Sequence, residues 1–377
     1  MYRTHRFLFA PLLLIGALIS LGAPALAFAG AAPFLARFHT ITTLASTVPT
    51  TNGDVNPYGT FVVPNTVGAL KRGDVLVSNF NNSANAQGTG TTLVQISPQG
   101  KVSLFAQINP QTLPGACPGG IGLTTALVVL QRGWVVVGSL PTSDGSSATA
   151  QAGCLLVLNS QGKVVETIAN AAIQGPWDMT VLDAGNRAWL FVTNVLNGTV
   201  AANGKVVDKG SVVRLGLNVP RQGYEKPSVK TTTTIAANFA ERTDAAALVV
   251  GPTGVALDGQ TLYVADSVNN RIAAIPDALE RTSNAHAGQT ISANGFLKAP
   301  LGLTLAPDGN ILTVNGNDGN IVETTPKGQQ IAYKQLDATS APPAAAGAGC
   351  LFGLAVVPGG HGAYFVDDCD NTLKLLK

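Results

Sequence analysis

Charge is scarce in this sequence. Only 12% of its 377 residues are Asp, Glu, Lys or Arg, with 23 basic residues against 21 acidic. Such a chain lacks the basic footprint of a nucleic-acid binder. Aromatic residues make up 6%, and there are four histidines. His39, His286 and His361 fall on a strand, in turns or in connections and read as surface residues, which leaves little material for a His-based metal site or acid/base pair. Four cysteines are present without a C-x-x-C pair, so zinc-finger and thioredoxin-type sites are excluded. The H-E-x-x-H, G-x-S-x-G and G-x-x-x-x-G-K motifs are missing as well. Past the first 30 or so positions, no apolar run approaches the ~20 residues of a membrane helix. Hydrophobic residues still reach 46%, spread through short segments, and this excludes disorder.

The chain opens with Arg3, His5 and Arg6, followed by an apolar run from Phe7 to about Leu21 and by Ala-x-Ala sites at Ala25 to Ala29. That is the layout of a signal peptide over residues 1–29, so export is expected, either secreted or periplasmic. The mature chain loses Arg3 and Arg6 and becomes formally neutral. It is expected to have no membrane span and to be a monomer.

A short phrase then repeats. Its clearest copy runs Pro252-Thr-Gly-Val-Ala-Leu-Asp258, Thr261-Leu-Tyr-Val-Ala-Asp266, Ser267-Val-Asn-Asn-Arg-Ile272. Others start near positions 300 and 352, and looser ones at Pro57, Gly120 and Pro176. Each copy holds three or four apolar runs rich in Val, Leu and Ile, separated by Gly, Asn, Asp or Pro, and none has a helical period. The pattern predicts an all-β fold, a six-bladed β-propeller of four-stranded antiparallel blades filling residues 30–377. The last copy stops after three strands. Residues 38–45 form an orphan strand with good β character and are expected to complete blade 6 and close the ring.

Cys117 and Cys350 both precede the first strand of a blade, and Cys154 and Cys369 both sit at its third strand. These equivalent places predict the disulfides Cys117–Cys154 and Cys350–Cys369.

The phrase at 252–272 resembles the NHL repeat, which implies a propeller and leaves function open. Secreted NHL-like chains are also similar to the calcium-dependent lactonases and esterases built on six-bladed propellers. That resemblance implies oxygen ligands on the residue before each blade-opening Gly. Here those positions read Tyr58, Ile121, Trp177, Thr253, Leu301 and Phe352. Five of the six carry no oxygen ligand suited to calcium, and the mouth they form is either an apolar ligand site or a plug.

Three long polar loops lie between the second and third strands of blades 1, 2 and 3, where binding commonly resides. The reading favoured by these features is a non-enzymatic binding propeller for a protein, glycan or small apolar ligand, with Tyr58, Trp177, Phe352, Asn79 and Asn194 as contact residues. The alternative is a hydrolase, lactonase or lyase with a divergent site at the channel. There Asp178, which replaces the usual Gly, is the candidate acid or base. Asp266, Asp367 and Asp370 are the candidate metal ligands. No cofactor is expected from the residues themselves, and calcium is the ion the resemblance would bring.

Overall fold

In blades 1, 3, 4, 5 and 6 the innermost strand, strand a, carries the repeat phrase, and its register explains why glycine recurs there in four of them. A computed structural model describes residue 1 and residues 32–339 and 342–377; the expected signal peptide lies outside the described residues. In each blade the first pair of strands is antiparallel with a bulge just after its opening residues, at 57/60, 123/127, 176/179, 252/255, 300/303 and 351/354. At this bulge the chain turns toward the channel axis, where neighbouring blades crowd together. A Cβ on Gly302 would lie 1.9 Å from the Phe352 carbonyl oxygen, and one on Gly254 would lie 2.1 Å from that of Leu301. Backbone cannot yield as a side-chain tip can, so Gly302→Ala is expected to cost about 3 kcal/mol or more, read from the urea midpoint.

Six sheets form the ring, ordered a to d within each blade. The middle strands are buried on both faces, as in Val75–Asn81, Thr92–Ile96 and Cys154–Leu158, because each blade is sandwiched between two others. Outer strands such as Val102–Gln107 are half exposed. Ile41–Ser46 pairs antiparallel with Thr372–Leu376 and supplies the fourth strand of blade 6. Just before it, Phe34 and Leu35 are fully buried, and their backbone N–H groups donate to the carboxylate of buried Glu323, each at 2.8 Å. The closing segment is thus held by a ladder, two core side chains and a charged acceptor. Among the described residues no helix is long and apolar enough to cross a membrane.

Two features depart from the repeat reading. Strand a of blade 2 starts at Leu123, not at Gly120, and its bulge holds one extra residue. Blade 3 has a fifth strand. Its outer strand, Ser228–Asp244, runs past the blade and turns back through Leu248–Val250.

The disulfides are Cys117–Cys154 and Cys350–Cys369, and both fasten the face where strand a begins. They place the chain in an oxidising compartment. The first closes a loop with a sequence separation of 37. Replacing both of its cysteines with serine is expected to lower unfolding free energy by about 3–4 kcal/mol, measured by denaturant titration.

Candidate functional site: a carboxylate in the central channel

The channel is divided by an aromatic plug. Tyr58 stacks on Phe352 at 4.0 Å and on Phe80 at 4.5 Å, with Trp177 6.5 Å away. Tyr58, Trp177, Leu301 and Phe352 are each 3% exposed. Leu248 and Val249 of the extra hairpin pack into the same cluster. Leu248 takes φ +60, a left-handed conformation that a leucine adopts only when its surroundings hold it there. The ring position of blade 2 belongs to Thr124 instead of Ile121. A Cβ on Gly59 would lie 3.0 Å from the Thr124 carbonyl oxygen, as one on Gly353 would lie 2.2 Å from that of Tyr58.

Beyond the plug, along the rest of strands a, lies a cavity of about 260 Å³. Its walls mix aliphatic side chains with the hydroxyl-bearing Thr60, Thr125, Thr180 and Thr304, and Asp178 is the one carboxylate among the described residues that line it. Asp178 occupies the bulge position that is glycine in blades 1, 4, 5 and 6. Its Oδ1 accepts from the Met179 N–H at 2.8 Å and its Oδ2 from the Val255 N–H at 3.2 Å. The channel wall withdraws the carboxyl from water and pushes its pKa up to about 8, with the two N–H groups offsetting part of the shift. An acid with that pKa exchanges its proton near neutrality, as a general acid or base must.

Calcium does not fit this cavity. It takes six to eight oxygens; here a single carboxylate is available, and each of its oxygens already accepts a backbone hydrogen bond.

The other sequence-selected residues lie elsewhere. Asn79 and Asn194 are fully buried. Asn79 donates to the Thr47 carbonyl and to Thr92 Oγ1, and Asn194 accepts from the Gln174 N–H. Asp266 pairs with Arg271 at 2.7 Å. Asp367 and Asp370 share Lys374, at 2.7 and 2.8 Å. Burial lifts the Asp367 carboxyl to about 6 despite that partner. Asp337 approaches the sulfurs of Cys350 and Cys369, but those sulfurs are joined as a disulfide and are not ligands. Three buried carboxylates lay outside the sequence selection, Asp54, Glu241 and Glu323. Glu241 accepts from the Asn197 backbone and side chain, and burial pushes it up to about 7. Glu323 ends the third apolar run of the copy that starts near position 300, but nothing in that run sets a buried acid apart from a solvent-facing one.

The loops of blades 1 to 3 are knitted together over the plug. Thr142 donates through its N–H to Gly88 and through its hydroxyl to Gln87, and Gln87 donates to Ala245 of the extra hairpin.

No protein-family model and no curated protein matches the sequence. Solved structures do match the fold. A gluconolactonase from Xanthomonas campestris is 13% identical, covering 89% of this chain and 88% of that one, with a TM-score of 0.52. A putative gluconolactonase is 15% identical over 92% and 96%, with a TM-score of 0.53. The calcium-binding regucalcin from Agrobacterium tumefaciens is 13% identical over 88% and 92%, with a TM-score of 0.52. At these identities the likeness establishes the six-bladed propeller. It also corrects the favoured functional reading. Two of these three similar propellers are described as a gluconolactonase or a putative one, and the third as a calcium-binding protein. The blade 1–3 loops expected to receive a partner spend polar groups on one another, and the channel holds an acid in a cavity.

Proposed function

We propose that this chain is a hydrolase acting on small lactones or esters in its central channel, without a metal. The observation that carries this reading is Asp178, a carboxyl with a pKa near 8 on the wall of a cavity that suits a small ring. In its ionised form Asp178 takes a proton from a water molecule as that water attacks the carbonyl carbon. The proton then passes to the departing alkoxide oxygen as the C–O bond breaks, which returns Asp178 to its starting state. The Thr180 and Thr304 hydroxyls offer hydrogen bonds to polar substituents, while Thr125 donates to the Trp177 carbonyl, and the aliphatic walls exclude bulk water.

Descent from NHL-type repeats is part of this proposal and rests on the phrase at 252–272. Release to the periplasm or the exterior is also part of it and rests on the leader together with the disulfides. The test is hydrolysis of a panel of small lactones and nitrophenyl esters, with and without EDTA. Turnover that survives EDTA and is lost in Asp178→Asn supports the proposal. Turnover restored only by calcium, or retained in Asp178→Asn, refutes it.

A further inference from the structure

A second cavity, of about 430 Å³, lies on the flank of blade 3. It is formed by strands b, c and d of that blade, Arg187–Asn194, Val207–Asn218 and Ser228–Asp244, and by none of the strands a that line the channel. Trp189, Gly216 and Thr231 stand directly opposite one another across these three strands, so they share one face of the sheet. The glycine leaves a notch beside the indole. A Cβ on Gly216 would lie 3.9 Å from Trp189 Cδ1 and 2.5 Å from Thr231 Oγ1. Trp189 packs partly against the core between blades 3 and 4 and keeps part of its surface in solvent. The other two tryptophans, Trp134 and Trp177, are each 3% exposed. Arg187 and Lys230 line the cavity from strands b and d, whose backbones run about 10 Å apart on either side of strand c. Among the described residues neither cation has an ion-pair partner, and no carboxylate lines the cavity.

The walls thus carry two uncompensated positive charges, in a chain whose 23 basic residues nearly balance 21 acidic ones. Asn218 and Thr231 add a side-chain amide and a hydroxyl. The exposed face of an indole carries negative π density, which favours the C–H-bearing face of a sugar ring. A small aromatic acid would occupy the indole and one cation and leave the other cation, the amide and the hydroxyl unused. A run of uronic-acid rings uses them all, because it repeats a carboxylate along its length and carries hydroxyls between. We propose that this notch binds a segment of an acidic polysaccharide, one uronic-acid ring lying against Trp189 and carboxylates of the chain taken by Arg187 and Lys230. The site shares no residue with the Asp178 cavity and does not depend on the channel chemistry.

The experiment is a titration of the disulfide-bonded protein at pH 7 and low salt with trigalacturonate, alongside neutral galactotriose and benzoate, followed by tryptophan fluorescence and by calorimetry. Trp189 is the accessible one of the three tryptophans, so a ring seated on it changes the emission in a saturable way. Galactotriose lacks the charge and benzoate lacks the hydroxyls and the second carboxylate, so neither matches trigalacturonate. Added salt weakens the binding, as it screens exposed charges. Arg187→Gln and Lys230→Gln each reduce affinity about 3–5-fold, and the double variant about 10–25-fold. Both side chains are exposed, so the urea midpoint of the double variant stays close to that of the parent. No saturable change with trigalacturonate, an equal response to galactotriose or to benzoate, or undiminished binding by the double variant each overturns the proposal.

Discussion

A chain that begins at residue 47 is expected to show no cooperative unfolding transition at 25 °C, whereas one that begins at residue 32 unfolds in a single step. The missing segment does more than add a strand. Without Ile41–Ser46, the strand Thr372–Leu376 becomes an open edge, the feature that ring closure removes. Phe34 and Leu35 are 0% and 1% exposed, and losing their burial costs about 2–3 kcal/mol each. Glu323 then keeps only the Asn310 side chain at 2.8 Å as a donor in a fully buried place. Each lost hydrogen bond to its charge costs about 1.5–3 kcal/mol. Together these terms approach the ~5–15 kcal/mol that holds an ordinary domain folded. Circular dichroism through a urea titration decides the matter, and a shortened chain that keeps the full-length midpoint contradicts the argument. Glu323→Ala isolates the anchor and is expected to lose about 3 kcal/mol on its own.

The ring was legible because its strands carry the same phrase and because a three-stranded last blade and an unpaired first strand complete one another. The cysteines followed from their equivalent places in two blades. Blade 2 was legible only to within three residues. Its Gly120-Ile-Gly122 imitates the phrase, but Gly122 serves a different contact, its Cα side lying against the Gly88 backbone, where a Cβ would come within 2.3 Å of the carbonyl oxygen. The true bulge is built from Thr124, Thr125 and Ala126, with no glycine to mark it. The hairpin through Leu248 was hidden for a related reason. A strand that leaves its blade keeps the same alternation as one that stays, so the pattern does not show where Ser228–Asp244 departs. Asp178 stood out because an acid occupies a glycine's place.

Asp178→Asn is expected to reduce kcat/KM for the best lactone by about 10²–10⁴-fold, the usual range for losing a general base. The substitution keeps size and shape, so the KM is expected to change little. The same variant carries a signature in stability that does not depend on finding the substrate. Because the folded pKa of about 8 stands above the ordinary carboxyl value of 3.8, the native state holds the proton more tightly than the unfolded chain does. The stabilisation associated with that proton is fully present below about pH 4 and is lost as pH rises toward 8. Asparagine cannot ionise and loses nothing over this range. The unfolding midpoint of the variant, set against that of the parent, is therefore expected to gain steadily from pH 4 to about pH 8 and to level off above it. Glu241, Asp367 and Asp368 are shifted in the same direction, so the parent falls with pH for several reasons, and only the difference between the two proteins isolates Asp178. A difference that stays constant with pH means that the channel carboxyl titrates as if in water. In that event Asp178 has no special claim as a base, and the channel loses the observation on which its chemistry rests.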